Sequence, residues 1–181
     1  PLTAKVGAYW KDETDGGISS FTQTPARTTL TASCPTTQAT YNSVWSAAAA
    51  TFGRTANDYT NGTGRHLVVI LPAACNSSTG TGLGTIGTSM HQGGLIFVSN
   101  YADIATTTLA HEIGHNLGLG HGNLNYCGTL SYDEGSGCSF YEYNDVYSVM
   151  GYAIVDYGTA LPALPASQRD YLQGFGSGEL A

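Results

Sequence analysis

Apolar positions along the chain recur with two different periods, and the changes between them mark its elements. Lys5 to Trp10 and Gly16 to Thr24 read as two short strands around a turn at Asp15-Gly16-Gly17. From about Thr40 to Asn57, the residues Tyr41, Val44, Trp45, Ala48 and Phe52 fall at helical spacing, which predicts a helix with one face on a sheet. His66 to Leu71 is a run of apolar and β-branched residues closed by Pro72, and it predicts a buried strand. Gly80 to Gly93 is rich in Gly and Thr, so a loop with a short edge strand near Leu83 to Thr88 is expected. Gly94 to Ser99 reads as a further strand and Ile104 to Leu117 as a second helix. Gly118 to Met150 is long and irregular, and a last short helix is expected over Ala166 to Gln173. Strand, helix, strand, strand, helix predicts an α+β (mixed α/β) fold, a mixed sheet with helices packed on it.

Composition narrows the partners. The 181 residues suit one domain over residues 1–181, and a hydrophobic share of 41% can supply its core. Charged residues are only 10% of the chain, and Thr, Ser, Asn, Gly and Tyr fill a neutral polar surface of the kind extracellular enzymes carry. With a net charge of -7 and only 6 Lys plus Arg, the chain offers no electrostatic footprint for nucleic acid or for an anionic membrane surface. A secreted, extracellular monomer is expected. Cys34, Cys75, Cys127 and Cys138 include no close C-x-x-C pair, which argues against a thiolate zinc site. Of the pairings open to them, Cys34–Cys75 and Cys127–Cys138 are favoured, the second closing a short loop; the alternative is four free buried thiols.

The second helix carries His111-Glu112-x-x-His115-x-x-Gly118-x-x-His121. Positions i and i+4 share a helix face, so His111 and His115 can bind one Zn²⁺ together. Leu109, Ile113 and Leu117 form a stripe about 200° away around the helix, the side expected to be buried. His121 lies too far along the axis to ligate from a continuing helix. A break at Gly118, which accepts φ > 0, would let it swing back as third ligand. Three histidines leave one position for water, as catalysis requires, and a zinc-bound water has a pKa of about 7. Glu112 points about 100° away from His111, poorly placed as a ligand and well placed as the general base that takes the water's proton.

The extended zinc motif followed by Ser148-Val149-Met150-Gly151-Tyr152 resembles the metzincins. Within that clan, Glu142 to Gly151 and His115-Asn116-Leu117-Gly118 look most like the gametolysin-type peptidases and their bacterial relatives. The resemblance implies a metzincin-like catalytic domain with a twisted, mostly parallel sheet, two long helices and a cleft with zinc at its floor. An upper subdomain of about residues 1–118 would stand above a small irregular lower one of about 119–181. It implies a Met-turn at Met150 beneath the metal. Tyr152 matches a tyrosine of the astacin and serralysin branches that approaches the zinc, as an extra ligand or as a donor to the oxyanion. Substrate would lie extended along an edge strand, with Gly84, Thr85 and Ile86 as the candidate contacts. The walls Gly122 to Tyr147 and Ala153 to Pro165 would frame the pocket for the residue after the scissile bond. They carry Tyr126, Leu130, Tyr132, Phe140, Tyr141 and Leu161, a set suited to an apolar side chain.

The expectation is therefore a secreted zinc-dependent endopeptidase acting on protein or peptide substrates. The competing readings are a zinc amidase acting on cell-wall peptides and a non-catalytic binding module stapled by zinc. Glu112 argues against the second, because structural zinc is closed by four protein ligands and has no use for a base. Ca²⁺ is possible in such a domain, but no D-x-D-x-D-G loop indicates it.

Overall fold

A computed structural model describes residues 2–24, 28–75, 81–99, 105–128, 138–151 and 161–172. The chain opens with a helix, α1 (Leu2–Glu13), where the sequence predicts a strand. Val6, Tyr9 and Trp10 are buried along one side of it, with Leu2 packed beside them. Those positions are three and four residues apart, the repeat of a helix and not the alternation of a strand. The second predicted strand is also absent: residues 19–24 run without regular structure.

Helix α2 (Gln38–Ala50) starts at a capping box, the Thr40 N–H donating to the Thr37 hydroxyl and the Thr37 N–H to that of Thr40. It ends before the predicted Asn57, because the Gly53 and Arg54 N–H groups fold back to the Ala50 and Ala49 carbonyls at 2.9 and 3.1 Å. A separate turn, α3 (Asn57–Thr60), follows. Strand β1 (His66–Leu71) leads through a 3₁₀ turn at Ala73–Cys75 to β2 (Gly82–Gly84) and then β3 (Gly94–Ser99). The β1 and β3 spans are those the apolar runs predict.

β3 lies in the middle of this sheet. It runs parallel to β1, with His66 opposite Gly94 and Leu71 opposite Ser99, and antiparallel to β2, with Gly84 opposite Ile96. The sheet is thus mixed, with one pairing of each kind among the described residues. All of β3 is buried, because its alternate side chains enter two cores. Ile96 and Val98 pack with α1 and with helix α4 (Ala105–Asn116). Leu95 and Phe97 pack with α2, where Trp45 stacks on Phe97 at 4.5 Å between ring centroids. Three helices of 12 or 13 residues therefore flank the sheet, where two long ones are expected from the resemblance.

Beyond α4, the stretch read as irregular contains a two-stranded antiparallel ribbon, β4 (Leu124–Tyr126) with β5 (Ser139–Tyr141). A disulfide joins Cys127, just after β4, to Cys138, just before β5. An isolated two-strand ribbon is marginal in water, so the bridge is the natural staple for it. A second disulfide joins Cys34 to Cys75, tying the entry to α2 to the 3₁₀ turn after β1. The last described element is α5 (Ala166–Tyr171). Among the described residues no helix is long and apolar enough to cross a membrane.

Candidate metal centre

Helix α4 buries Leu109 and Ile113 in the core beside α1, with Leu117 just past its end, and this fixes the direction of its other face. His111 and His115 project from that face one turn apart, their ring centroids 4.7 Å from each other. The helix stops at Gly118, which takes φ 97°, and the Leu119 N–H turns back to the Gly114 carbonyl at 3.0 Å. That reversal returns His121 to the pair, 4.8 Å from the His115 ring and 5.6 Å from the His111 ring. One ligand atom from each of His111, His115 and His121 lies within 4.8 Å of the others.

The chemistry of the three rings suits a metal ion. In each, Nδ1 is already engaged: His111 donates to the Val149 carbonyl at 2.8 Å and His115 to the Leu119 carbonyl at 2.8 Å. His121 donates to Oε1 of Glu142 at 2.7 Å. A carbonyl oxygen only accepts, so Nδ1 carries the proton in His111 and His115, and Nε2 is left with a free lone pair. Burial, followed by the charge of His115, holds the His111 imidazole down at about 4. Burial lowers His115 in the same direction. Both rings are therefore neutral at physiological pH, the form that ligates.

Met150 is fully buried beneath this helix. Its thioether occupies the space where a side chain on Gly114 would stand, between the two helical histidines. The turn around it is closed by the Met150 N–H to the Ser148 hydroxyl at 3.0 Å and the Gly151 N–H to the Ser148 carbonyl at 3.0 Å. Because Val149 also accepts from His111, the turn supports the ring as well as the helix below it.

Glu112 is buried on the side of α4 that meets β2. A Cβ on Gly84 would lie 2.8 Å from its Oε2, and one on Gly82 would overlap its Oε1. No hydrogen bond reaches this carboxylate among the described residues, and burial pushes it up to about 8. A dication beside it would draw the value back down. β2 is an outer strand of the sheet among the described residues, and its continuation is tied to the same helix. The Asn116 amide donates to the Thr85 carbonyl at 2.6 Å, and the Gly87 N–H to the His115 carbonyl at 2.8 Å. Of the predicted edge residues, Gly84 and Thr85 thus lie against the helix, and Ile86 is 69% exposed.

Residues 15–161 match Reprolysin_5, Metallo-peptidase family M12. The chain belongs to metallopeptidase family M12. No curated protein matches it. Family membership and the imidazole triad make this M12 metallopeptidase a zinc peptidase whose substrates are proteins or peptides.

Two residues beside the centre escape the sequence reading. Glu142, the partner of His121, stands 21 residues beyond it, a spacing that carries no local signal. Tyr143 packs its ring 3.6 Å from that of His121, centroid to centroid, and 6.1 Å from that of His111. Tyr152 lies outside the described residues, as do Leu130 and Tyr132. Tyr126, Phe140 and Tyr141 are exposed on the ribbon, whereas Leu161 packs against the core.

The contact between Glu112 and β2 gives a first prediction. Gly84→Ala is expected to lower kcat/KM by about 10²-fold with zinc content unchanged, since it would displace by about 1 Å the carboxylate that the sequence predicts as the base. Metal analysis and steady-state kinetics on the purified variant check it; parent-like kinetics would show that the carboxylate has room to move.

Proposed function

We propose that this chain is a secreted zinc-dependent endopeptidase, with His111, His115 and His121 as the zinc ligands and Glu112 as general base. The observation that carries this reading is the commitment of all three Nδ1 atoms, which leaves three Nε2 atoms to one centre beside a buried carboxylate that no hydrogen bond reaches among the described residues. Zinc bound there supplies a Lewis acid that polarises the substrate carbonyl and acidifies water. Glu112 accepts the proton of the attacking water on a carboxylate oxygen and delivers it to the departing amine. Gly82 and Gly84, lacking side chains, let the edge strand lie against that carboxylate. The main chain of Gly84 and Ile86 takes an extended substrate as one more strand, while Thr85, whose N–H goes to the Leu95 carbonyl and whose carbonyl accepts from Asn116, is tied inward. Met150 supports the ligand helix from below. The lower segment after Gly118, with Tyr126, Phe140 and Tyr141 exposed, accepts an apolar side chain after the scissile bond. Two disulfides favour an oxidising, extracellular setting.

Digestion of denatured casein tests the reading. The protein is expected to bind stoichiometric zinc, to cleave internal peptide bonds, and to lose that activity to a zinc chelator and regain it on adding zinc. Product sequences from a peptide library are expected to favour apolar residues just after the cut. Chelator-resistant cleavage would overturn the zinc mechanism. Zinc retention without hydrolysis of any peptide would favour a binding module, and cleavage confined to cell-wall amides would favour the amidase.

A further inference from the structure

Tyr143 holds a backbone conformation that a tyrosine rarely adopts. Its φ is 64°, in the left-handed region where a bulky side chain is strained and where glycine or asparagine is the ordinary choice. The conformation is held from both sides. The Tyr143 N–H donates to Oδ1 of Asn123 at 3.1 Å, and the preceding residue, Glu142, takes the His121 Nδ1 proton at 2.7 Å. Its effect is to turn the ring towards the zinc ligands. The ring lies on His121 at a tilt of 34° and runs within 20° of parallel to His111. No ring contact joins Tyr143 to His115 among the described residues, so it stands on the His111 and His121 side of the centre.

A purely structural tyrosine would bury its ring or bond its hydroxyl. This residue is 37% exposed, and its hydroxyl has no hydrogen-bond partner among the described residues. Its ring stands beside two of the three imidazoles, and no hydrogen bond among the described residues commits its O–H elsewhere. We propose that Tyr143 is a further catalytic residue of this site, its phenol O–H donating a hydrogen bond to the carbonyl oxygen of the scissile bond as that oxygen gains negative charge. The proton stays on the phenol throughout, so no bond to Tyr143 is made or broken. The inference rests on the peptidase reading above, and it gives Tyr143 the role that the resemblance implies for Tyr152.

Tyr143→Phe tests it, because the ring remains on His121 and only the donor is lost. A donor to developing charge acts in the transition state more than in the ground state. The expected result is a kcat lower by about 10- to 1,000-fold with KM little changed. Zinc content should match the parent. A phosphonate peptide, whose tetrahedral anion mimics the charged state, should bind the zinc-loaded variant more weakly by a comparable factor in calorimetry. Tyr152→Phe, measured alongside, should show the smaller loss on both readouts. Parent-like kcat and phosphonate affinity in Tyr143→Phe would overturn the inference, and so would loss of its zinc, which would make Tyr143 a support for His121. A larger loss in Tyr152→Phe would overturn it in favour of that residue. A parent protein that neither holds zinc nor cleaves casein would remove the peptidase reading and this inference with it; a parent that does both while Tyr143→Phe matches it would remove the inference alone.

Discussion

Glu112→Gln is expected to lower kcat/KM by roughly 10²- to 10⁴-fold while zinc binds as in the parent. The amide fills the space against Gly84 that the carboxylate fills, so the fold and the edge strand are preserved. What is lost is the group that accepts a proton. The side chain is a base and not a ligand in this scheme, which is why metal content and activity should separate. A variant that loses its zinc, or cleaves casein at the parent rate, would sink the assignment. The same substitution has a signature in the metal-free protein. Burial sets the Glu112 carboxyl at about 8, against an ordinary value of 4.5. The metal-free fold then keeps a proton that the unfolded chain releases, so stability falls as pH rises from about 4.5 to about 8. Thermal melts of chelated protein across that window should show the slope in the parent and its loss in Glu112→Gln; identical slopes would mean that the carboxylate is not desolvated.

Glu142→Ala is expected to weaken zinc binding by about 10- to 100-fold, the usual consequence of removing an outer hydrogen-bond partner from a ligating histidine. His121 is the ligand most exposed to this loss. His111 and His115 are held by backbone carbonyls, which no side-chain substitution removes, whereas His121 depends on the carboxylate 2.7 Å from its Nδ1. Without Glu142 the His121 ring can rotate or take the other tautomer, and its Nε2 no longer points to the centre by default. Glu142→Gln retains an acceptor oxygen and should fall between the two. Titration of the zinc-loaded proteins with a competing chelator measures the affinities. Equal affinity in parent and Glu142→Ala would show that the loop after Gly118 fixes His121 unaided.

How far the site can be read before folding depends on the range of the interactions involved. His111, His115 and His121 follow from local geometry: a helix brings positions four apart to one face, and a glycine with positive φ ends it. The spans of β1 and β3 were equally local, as apolar runs bounded by proline and glycine. The first helix was not. Lys5 to Trp10 is short enough to fit either period, and burial of Val6, Tyr9 and Trp10 against the motif helix decides between them. The ribbon of β4 and β5 carries exposed residues throughout, so no buried face imprints a period on its sequence.

The sequence by itself determined the clustering of His111, His115 and His121, the turn at Gly118 and the two strands of the central pairing, because each is encoded within a few residues of chain. The tertiary structure decided which nitrogen of each imidazole is free, what lies against Glu112, and that Glu142 and Tyr143 join the centre. Hydrogen bonds such as His111 to Val149, and close approaches such as Glu112 to Gly84, connect residues far apart in the chain. Such contacts leave no periodic trace in the sequence, and exist only once packing has brought the elements together.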